Sequence, residues 1–175
     1  RVEIKDISDE FSCIRIAGKP DVMGGQFKIV TKDDVKQPET EAGIWSLEAE
    51  RVSAGRARIG FETDHKSIPN ELGFLNNSVH MKKGCYPGQE TVAKINNLGT
   101  PPRKMVLLHL DGLNVDLPKV GDKVFDGEKE VGFIATVVRH YELGPIGLAV
   151  VKKNVPIENI LIVDGVSASQ EVIIK

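Results

Sequence analysis

The sequence is poor in cysteine, in histidine and in long apolar runs, and these shortages exclude several classes of protein. Only two cysteines occur, Cys13 and Cys85, and they form no CxxC motif. That is too few for a disulfide scaffold and indicates a reducing compartment, so we expect a cytoplasmic protein. The four histidines have no HxxxH spacing, and we expect no metal site. No apolar run approaches the ~20 residues of a membrane span, and no signal peptide is visible.

A strong charge of one sign is missing as well. The net charge is −2, and residues 1–100 and 101–175 each contribute −1. Nucleic-acid-binding modules are usually basic, so direct binding of tRNA or other RNA is disfavoured. A local basic patch stays open, and its candidates are Arg56, Arg58, Lys82, Lys83, Lys94, Arg103 and Lys104.

Residues 1–100 mix strand and helix patterns. "FSCIRIAG" alternates polar and apolar residues, which predicts a half-buried strand with Cys13 in the core. "ETEAGIWSLEAERVSAG" predicts a helix that ends near Gly55, with Trp45, Ala49 and Val52 on one buried face. "ARIGF" predicts a short strand, and "ETVAKINNLG" predicts another helix. His80, between two apolar residues, is expected in a sheet.

Residues 101–175 have an all-β pattern. Six strand-like runs follow Lys104, and Asp-Gly turn dipeptides separate several of them. Short strands at this spacing are typical of a small barrel or a sandwich, and of the two we expect an antiparallel β-barrel. The "TPPRK" segment breaks the chain, so we predict a domain of residues 1–100 and a barrel domain of residues 101–175. The fold class expected is therefore α+β.

"KKGCYPGQE", residues 82–90, is the most unusual stretch. Pro87 and Gly88 suit the central positions of a type II turn, and a helix should begin around Gln89. Cys85 precedes this turn and follows two lysines, an environment that favours a reactive thiolate. Tyr86 could stack on a planar ligand, with the Gln89 amide beside it. The residues alone leave the alternative of a small buried cysteine beside a packed tyrosine fully open.

The other polar candidates have simple structural alternatives. Arg51 can pair with Glu48 one helical turn earlier. Asp64 and Glu71 lie in the long segment "ETDHKSIPNELGFLNN", where acids are usually solvated. Long irregular segments of compact domains are often functional, however, so both acids stay candidates.

"KGCYPGQE", Lys83 to Glu90, resembles the K-G-C-Y-x-G-Q-E signature of the YgfZ-like folate-binding proteins, relatives of the glycine cleavage T-protein, an aminomethyltransferase. "VEIKDISDEFSCIRIAG" and "ERVSAGRARIGFETD…IPNELG" resemble further segments of these proteins. "NNLGTPPRKMVLLHLDG" resembles the join to their C-terminal barrel, especially in actinobacterial members. The resemblance spans nearly all of the chain but only the later part of the family's length. Together with the first residue, Arg1, it predicts that an N-terminal part of the same protein is missing here.

The resemblance implies a T-protein-like folate-binding domain, present in part, followed by the barrel. It implies tetrahydrofolate or a derivative as cofactor and Cys85 as the key thiol, in the catalytic role. Lys83, Tyr86 and Gln89 match the signature, and Arg51 and Glu71 match T-protein-like pocket positions, so these five are expected to bind the cofactor.

The function implied is a folate-binding accessory protein in iron–sulfur cluster assembly or repair, with iron–sulfur client proteins as partners and an indirect link to tRNA modification. The alternative is a tetrahydrofolate-dependent aminomethyl or methyl transferase, which would need an acid such as Asp64 or Glu71 beside the folate. Whether the protein turns over a substrate is therefore left open. A protein that acts directly on tRNA and a simple binding domain are weaker alternatives.

Overall fold

The computed structural model describes residues 2–16, 26–35, 43–113 and 116–173. The chain divides into two compact units, residues 1–42 and residues 43–175. In the described ranges, no helix has the length and apolar character that crossing a membrane would require.

The described part of the first unit is a two-stranded hairpin. Strand β1, Phe11–Ile16, pairs antiparallel with β2, Gln26–Thr31, and Cys13 lies opposite Ile29. A 3₁₀ turn, Lys32–Asp34, follows, and its Asp34 N–H is capped by the Thr31 hydroxyl at 3.2 Å. The strand predicted around Cys13 is confirmed, but its position in a core is wrong because Cys13 is exposed. Alternation identifies a face of a strand without showing that anything covers it.

The second unit begins with three helices and one 3₁₀ turn. Helix α1 is Ile44–Ser53, the 3₁₀ turn is Pro69–Glu71, α2 is Leu75–Ser78 and α3 is Gln89–Leu98. Helix α1 ends as predicted, because Gly55 adopts φ 63° and its N–H donates to the Val52 carbonyl at 2.9 Å. No strand forms at residues 57–61 or at His80, so both of those predictions are wrong.

The six predicted strands are confirmed and close into an antiparallel barrel. They are β3 Arg103–Leu110, β4 Lys123–Asp126, β5 Lys129–His140, β6 Gly144–Lys152, β7 Leu161–Val163 and β8 Val166–Val172. Their order around the barrel is β3-β6-β5-β4-β7-β8, and β8 pairs with β3 to complete the ring. Closure leaves no unpaired sheet edge in this ring.

Strands β3 and β6 are buried on both faces. Val106, Leu108 and Ala149 point into the barrel, where they join its interior core. Met105 and Leu148 point outward and are buried against Ala49, Val52 and Leu72 in a second core. This double burial explains why "KMVLLHL" and "IGLAVV" read as nearly continuous apolar runs rather than as alternating ones.

Helix α1 is the element that covers the outer face of the barrel. Ala49 and Val52 are fully buried there, whereas Trp45, on the same helical face, is 79% exposed. The prediction that Trp45 belongs to the core is therefore wrong. The helical period assigns a side chain to a face, but it does not tell how far along the helix the neighbouring element extends.

Candidate functional site

The Tyr86–Gln89 segment folds as the predicted turn. Gly88 has φ 82°, a left-handed conformation that glycine adopts without strain, and the Gln89 N–H donates to the Tyr86 carbonyl at 3.2 Å. Gly88 is also the N-cap of α3, so the turn leads directly into the helix. The first N–H groups of that helix therefore lie beside the turn, where they favour negative charge.

A cavity of about 500 Å³ lies against this turn. Its described walls come from residues 65–69, 78–80, 83, 86–88 and 91–92. The volume falls within the range typical of pockets for small molecules and cofactors. Wall residues 65–69 of the long irregular segment and 83 and 86–88 of the signature segment thus meet at one cavity, although at least 14 positions separate the two groups in the sequence.

Tyr86 is among the residues that line the cavity. Its hydroxyl is buried without a hydrogen-bond partner among the described residues, as are polar atoms of Arg58, Asn70 and Gln170, which do not line the cavity. The Lys83 ammonium lies 5.2 Å from the centre of the tyrosine ring, within range of a cation–π contact. A buried hydroxyl normally finds a partner, so a ligand group that bonds Tyr86 would remove an energetic cost.

Cys85 and Gln89 lie next to the cavity in sequence but are not among the residues that line it. Cys85 is exposed, so the alternative of a buried filler is wrong. Gln89 is half-buried at the first position of α3. The catalytic role of Cys85 and the binding role of Gln89 stay predictions.

Glu71 is buried and bound by an arginine that the sequence did not single out as a partner. Arg103, the first residue of β3, donates from Nε and Nη2 to the Glu71 carboxylate at 3.0 and 2.7 Å. The same guanidinium contacts Asp64 at 2.7 and 3.1 Å. The Ile68 N–H also donates to Glu71. Arg103 therefore ties the segment that forms one wall of the cavity to the barrel.

This pairing fixes the protonation of Asp64. Hydrogen bonds from the Arg103 guanidinium hold the pKa of the Asp64 carboxyl well below its usual value, and they outweigh the opposing effect of burial. The pKa of Arg103 is raised in turn by Asp64 and Glu71. Asp64 is therefore a carboxylate anion that is paired with the Arg103 guanidinium. A carboxylate in this state is a poor source of a catalytic proton.

Arg51 lies in a separate buried network between α1 and the barrel. It pairs with Glu48 at 3.1 Å, as the sequence predicted, and with both oxygens of Glu62 at 3.2 Å. It also contacts Thr136 of β5, whose hydroxyl donates to Glu62. Glu62 is fully buried, so these contacts are what make its charge tolerable. Arg51 does not line the cavity.

The structure therefore brings Lys83 and Tyr86 together and separates them from Arg51. Glu71 is buried and does not line the cavity. Sequence reasoning missed Glu62, which binds Arg51 across 11 residues, and the pairing of Arg103 with two acids more than thirty residues away, because local patterns report neither contact. Within the described ranges, no group of three histidine, cysteine or acidic side chains is placed to hold a metal ion.

Comparisons with known proteins identify what the chain is related to. No protein-family model matches it. It is 32% identical over 117 residues to the tRNA-modifying protein YgfZ of Aliivibrio fischeri strain MJ11. The YgfZ protein of Buchnera aphidicola from Schizaphis graminum is 32% identical over 116 residues. Over the aligned residues, this chain is similar in sequence to YgfZ proteins.

The similarity is partial. The aligned region takes 61% of this chain and 35% of the Aliivibrio protein. The chain thus spans about a third of the length of the curated relatives that it matches. Their name, tRNA-modifying protein, describes the complete relatives.

The fold is similar to a solved structure, the glycine cleavage system aminomethyltransferase T from Bartonella henselae. The TM-score is 0.58 with 17% sequence identity, over 70% of this chain and 35% of that protein. The predicted resemblance to the T-protein, and with it the α+β fold that contains an antiparallel barrel, is confirmed. At this identity the likeness concerns the fold only.

Proposed function

We propose that the chain is the folate-binding portion of a protein that supports tRNA modification through iron–sulfur proteins in the cytoplasm. The observation that carries the proposal is the position of the signature segment. Its Lys83 and Tyr86 line a cavity of ligand size while Cys85 stays exposed beside it. Sequence similarity to YgfZ proteins and a T-protein-like fold support the same conclusion.

The residues of the cavity fit a reduced folate. Such a ligand combines flat rings, polar ring edges and a carboxylate-bearing tail. Tyr86 and Pro87 offer flat and apolar surface, and the buried Tyr86 hydroxyl lacks a partner that a ligand could supply. When bound, the folate would supply one-carbon chemistry. Lys83 and Tyr86 would hold it, and the remaining part of the full-length protein would complete the pocket.

Cys85 is the thiol through which the protein would act on its client. It is exposed and two residues from Lys83, so a macromolecule could reach it without opening the structure. The alternative of a transferase is less well supported. The two acids nominated for it, Asp64 and Glu71, are both bound to Arg103.

The first test is anaerobic calorimetric titration of tetrahydrofolate into this chain and into Cys85→Ser. Cys13→Ser is the matched control, because Cys13 is also exposed but lies in the first unit. The full-length protein, in which the pocket would be complete, is titrated in the same three forms, and there we expect binding by all three, since Cys85 does not line the cavity. If neither this chain nor the full-length protein binds a reduced folate, the proposal is wrong.

The second test asks whether the protein needs the Cys85 thiol to support tRNA modification. Cells that lack the full-length protein would receive the wild type, Cys85→Ser or Cys13→Ser, and modified nucleosides of their tRNA would be measured by mass spectrometry. We expect Cys13→Ser to restore the modifications and Cys85→Ser to leave them reduced. Full restoration by Cys85→Ser would overturn the role of this thiol.

A further inference from the structure

Arg103 holds both ends of the loop that forms one wall of the cavity. Its guanidinium binds Asp64 at 2.7 and 3.1 Å and Glu71 at 3.0 and 2.7 Å. Between these two acids lie residues 65–69, all of which line the cavity. One side chain of the barrel therefore closes the wall loop, residues 64–71, at its two ends.

The middle of the wall loop is bonded to the same two carboxylates. The Lys66 N–H donates to Asp64 Oδ1 at 2.9 Å, and the Ile68 N–H donates to Glu71 Oε2 at 3.3 Å. The Ser67 hydroxyl also donates to Asp64 Oδ1, at 2.9 Å. The positions of the two carboxylates therefore determine where the backbone of the wall lies.

Apolar packing attaches the chain after the wall rather than at the wall. Residues 65–69 are all exposed or half-buried, whereas Leu72 is buried in the outer core of the barrel. A loop with little buried apolar surface can open locally while the rest of the molecule stays folded. The contacts with Arg103 are therefore what oppose such opening of the wall loop.

Arg103 is itself fixed by the barrel. It is the first residue of β3 and lies opposite Lys152 of β6. The Pro102 carbonyl accepts the Lys153 N–H at 2.9 Å, and Met105 is 1% exposed. The guanidinium therefore extends from a rigid strand end, and it can impose its position on a less rigid loop.

The geometry of these contacts requires an arginine. All four carboxylate oxygens of Asp64 and Glu71 accept from this one guanidinium, through Nε, Nη1 and Nη2. A guanidinium has five donors in a fixed plane, whereas a lysine ammonium has three around a single atom. Lysine would keep the charge but would not hold both acids in this arrangement. Arg103→Lys thus separates charge from position.

We propose that Arg103 is a positioning residue for the ligand of the cavity, and that the barrel contributes to ligand affinity through it. The inference rests on the proposed function, because the affinity concerned is that for the folate assigned there. Arg103 is not among the described residues that line the cavity. It acts through Asp64 and Glu71, which place residues 65–69 against the ligand.

The test compares Arg103→Lys with the wild type in the full-length protein. Mass spectrometry follows hydrogen exchange of the backbone amides, and anaerobic calorimetric titration gives the Kd of tetrahydrofolate. Urea unfolding gives the stability of each form. Arg58→Lys is the matched control, because Arg58 lies in the same irregular segment and pairs with Glu48 at 2.7 Å but does not line the cavity.

We expect exchange in residues 64–71 to be about tenfold faster in Arg103→Lys, with the rates of the barrel strands unchanged. The affinity for tetrahydrofolate should fall by about tenfold, because the binding-competent position of the wall is then only fractionally populated. Bound tetrahydrofolate should slow exchange in the wall loop of both forms. Arg58→Lys should change neither the exchange of the wall loop nor the Kd.

Asp64→Asn is the second variant, and it leaves the buried Glu71 paired with Arg103. It should also speed exchange in the wall loop and weaken tetrahydrofolate. The double variant with Arg103→Lys should bind more tightly than the product of the two single effects predicts, because both substitutions break the same contact.

The proposal is overturned if exchange in the wall loop is unchanged in both variants. It is also overturned if they lower only the free energy of unfolding and keep the wild-type Kd, which is the result that a purely structural ion pair would give. Folate binding by the wild type would stand in either case. If the wild type binds no reduced folate, the proposed function fails and this inference fails with it, whatever the exchange rates.

Discussion

At the scale of single residues, four buried side-chain atoms of the described part of the chain lack a hydrogen-bond partner: Arg58 Nε, Asn70 Oδ1, Tyr86 Oη and Gln170 Oε1. The buried Tyr86 hydroxyl has no partner among the described residues, whereas the buried carboxylates of Glu62 and Glu71 are each held by an arginine. Unsatisfied buried polar atoms are rare in native proteins because each costs stability. The cost is tolerated where a ligand or partner meets the group, which makes Tyr86 the most informative residue of the site.

Tyr86→Phe tests this interpretation by separating stability from binding. Removing an unpartnered buried hydroxyl should leave the free energy of unfolding unchanged or raise it by about 1 kcal/mol. Binding of a ligand that bonds the hydroxyl should weaken by about tenfold. Urea unfolding and calorimetric titration measure the two effects, and a destabilised Tyr86→Phe with unchanged affinity would show that the hydroxyl already has a partner.

At the scale of elements, the irregular segment of residues 56–74 contains one 3₁₀ turn and the buried Leu72, and ion pairs add to its attachment. The Glu62 carboxylate accepts hydrogen bonds from the Arg51 guanidinium and, at 2.7 Å, from the Arg58 backbone N–H. Asp64 and Glu71 both bind Arg103 at the start of the barrel. The apolar "ARIGF" pattern lies in this segment and does not form a strand. The contacts of Arg103 with Asp64 and Glu71 connect the wall of the cavity to the barrel.

The stability of this segment should depend on acid pH through Asp64. Arg103 lowers the folded-state pKa of Asp64 below its usual 3.8, so the unfolded chain binds the proton more readily. The contribution is therefore fully present above that value and is lost as the pH falls below it. In urea unfolding from pH 6 to pH 3, Asp64→Asn should be less stable than the wild type at pH 6, and the difference should shrink toward pH 3.

Asp116→Asn, which removes the same charge at an exposed residue, serves as the control and should show a much smaller pH-dependent difference. An Asp64→Asn profile that runs parallel to the wild type over the whole range would mean that the ion pair with Arg103 contributes nothing to stability.

At the scale of the whole molecule, the barrel depends on the residues that precede it. Its outer face carries Met105, Leu107, Ile146, Leu148 and Val150, all buried in the core that α1 completes. The compact unit that contains the barrel accordingly begins at Gly43, not near residue 101. The predicted domain boundary at residue 100 means that residues 101–175 should fold independently of the preceding residues. That boundary stays a prediction.

Two fragments test that boundary. Residues 43–175 should unfold cooperatively in urea, whereas residues 101–175 would expose the outer apolar face. Each large side chain uncovered costs about 1.5–3 kcal/mol, and several of them together match the net stability of a typical domain. We therefore expect residues 101–175 to aggregate or to bind a hydrophobic dye. Equal stability of the two fragments would instead support a domain boundary near residue 100.

The sequence by itself determined the local features of this protein. The six strands, helices α1 and α3, and the turn at Pro87-Gly88 follow from patterns within about ten residues, because side-chain period and turn chemistry act at that range. The signature segment also identified the relatives, since eight unusual residues in order carry more information than composition does.

Only the tertiary structure decided which side chains share a site. It exposed Trp45 and Cys13, paired Arg51 with Glu62 and Arg103 with Glu71, and joined two distant segments into one cavity. Burial and ion pairing depend on what packs against a segment from far along the chain. A local pattern gives no information about that neighbour. The partners of Glu62 and Arg103 therefore follow only from the tertiary structure, which brings the irregular segment to the barrel.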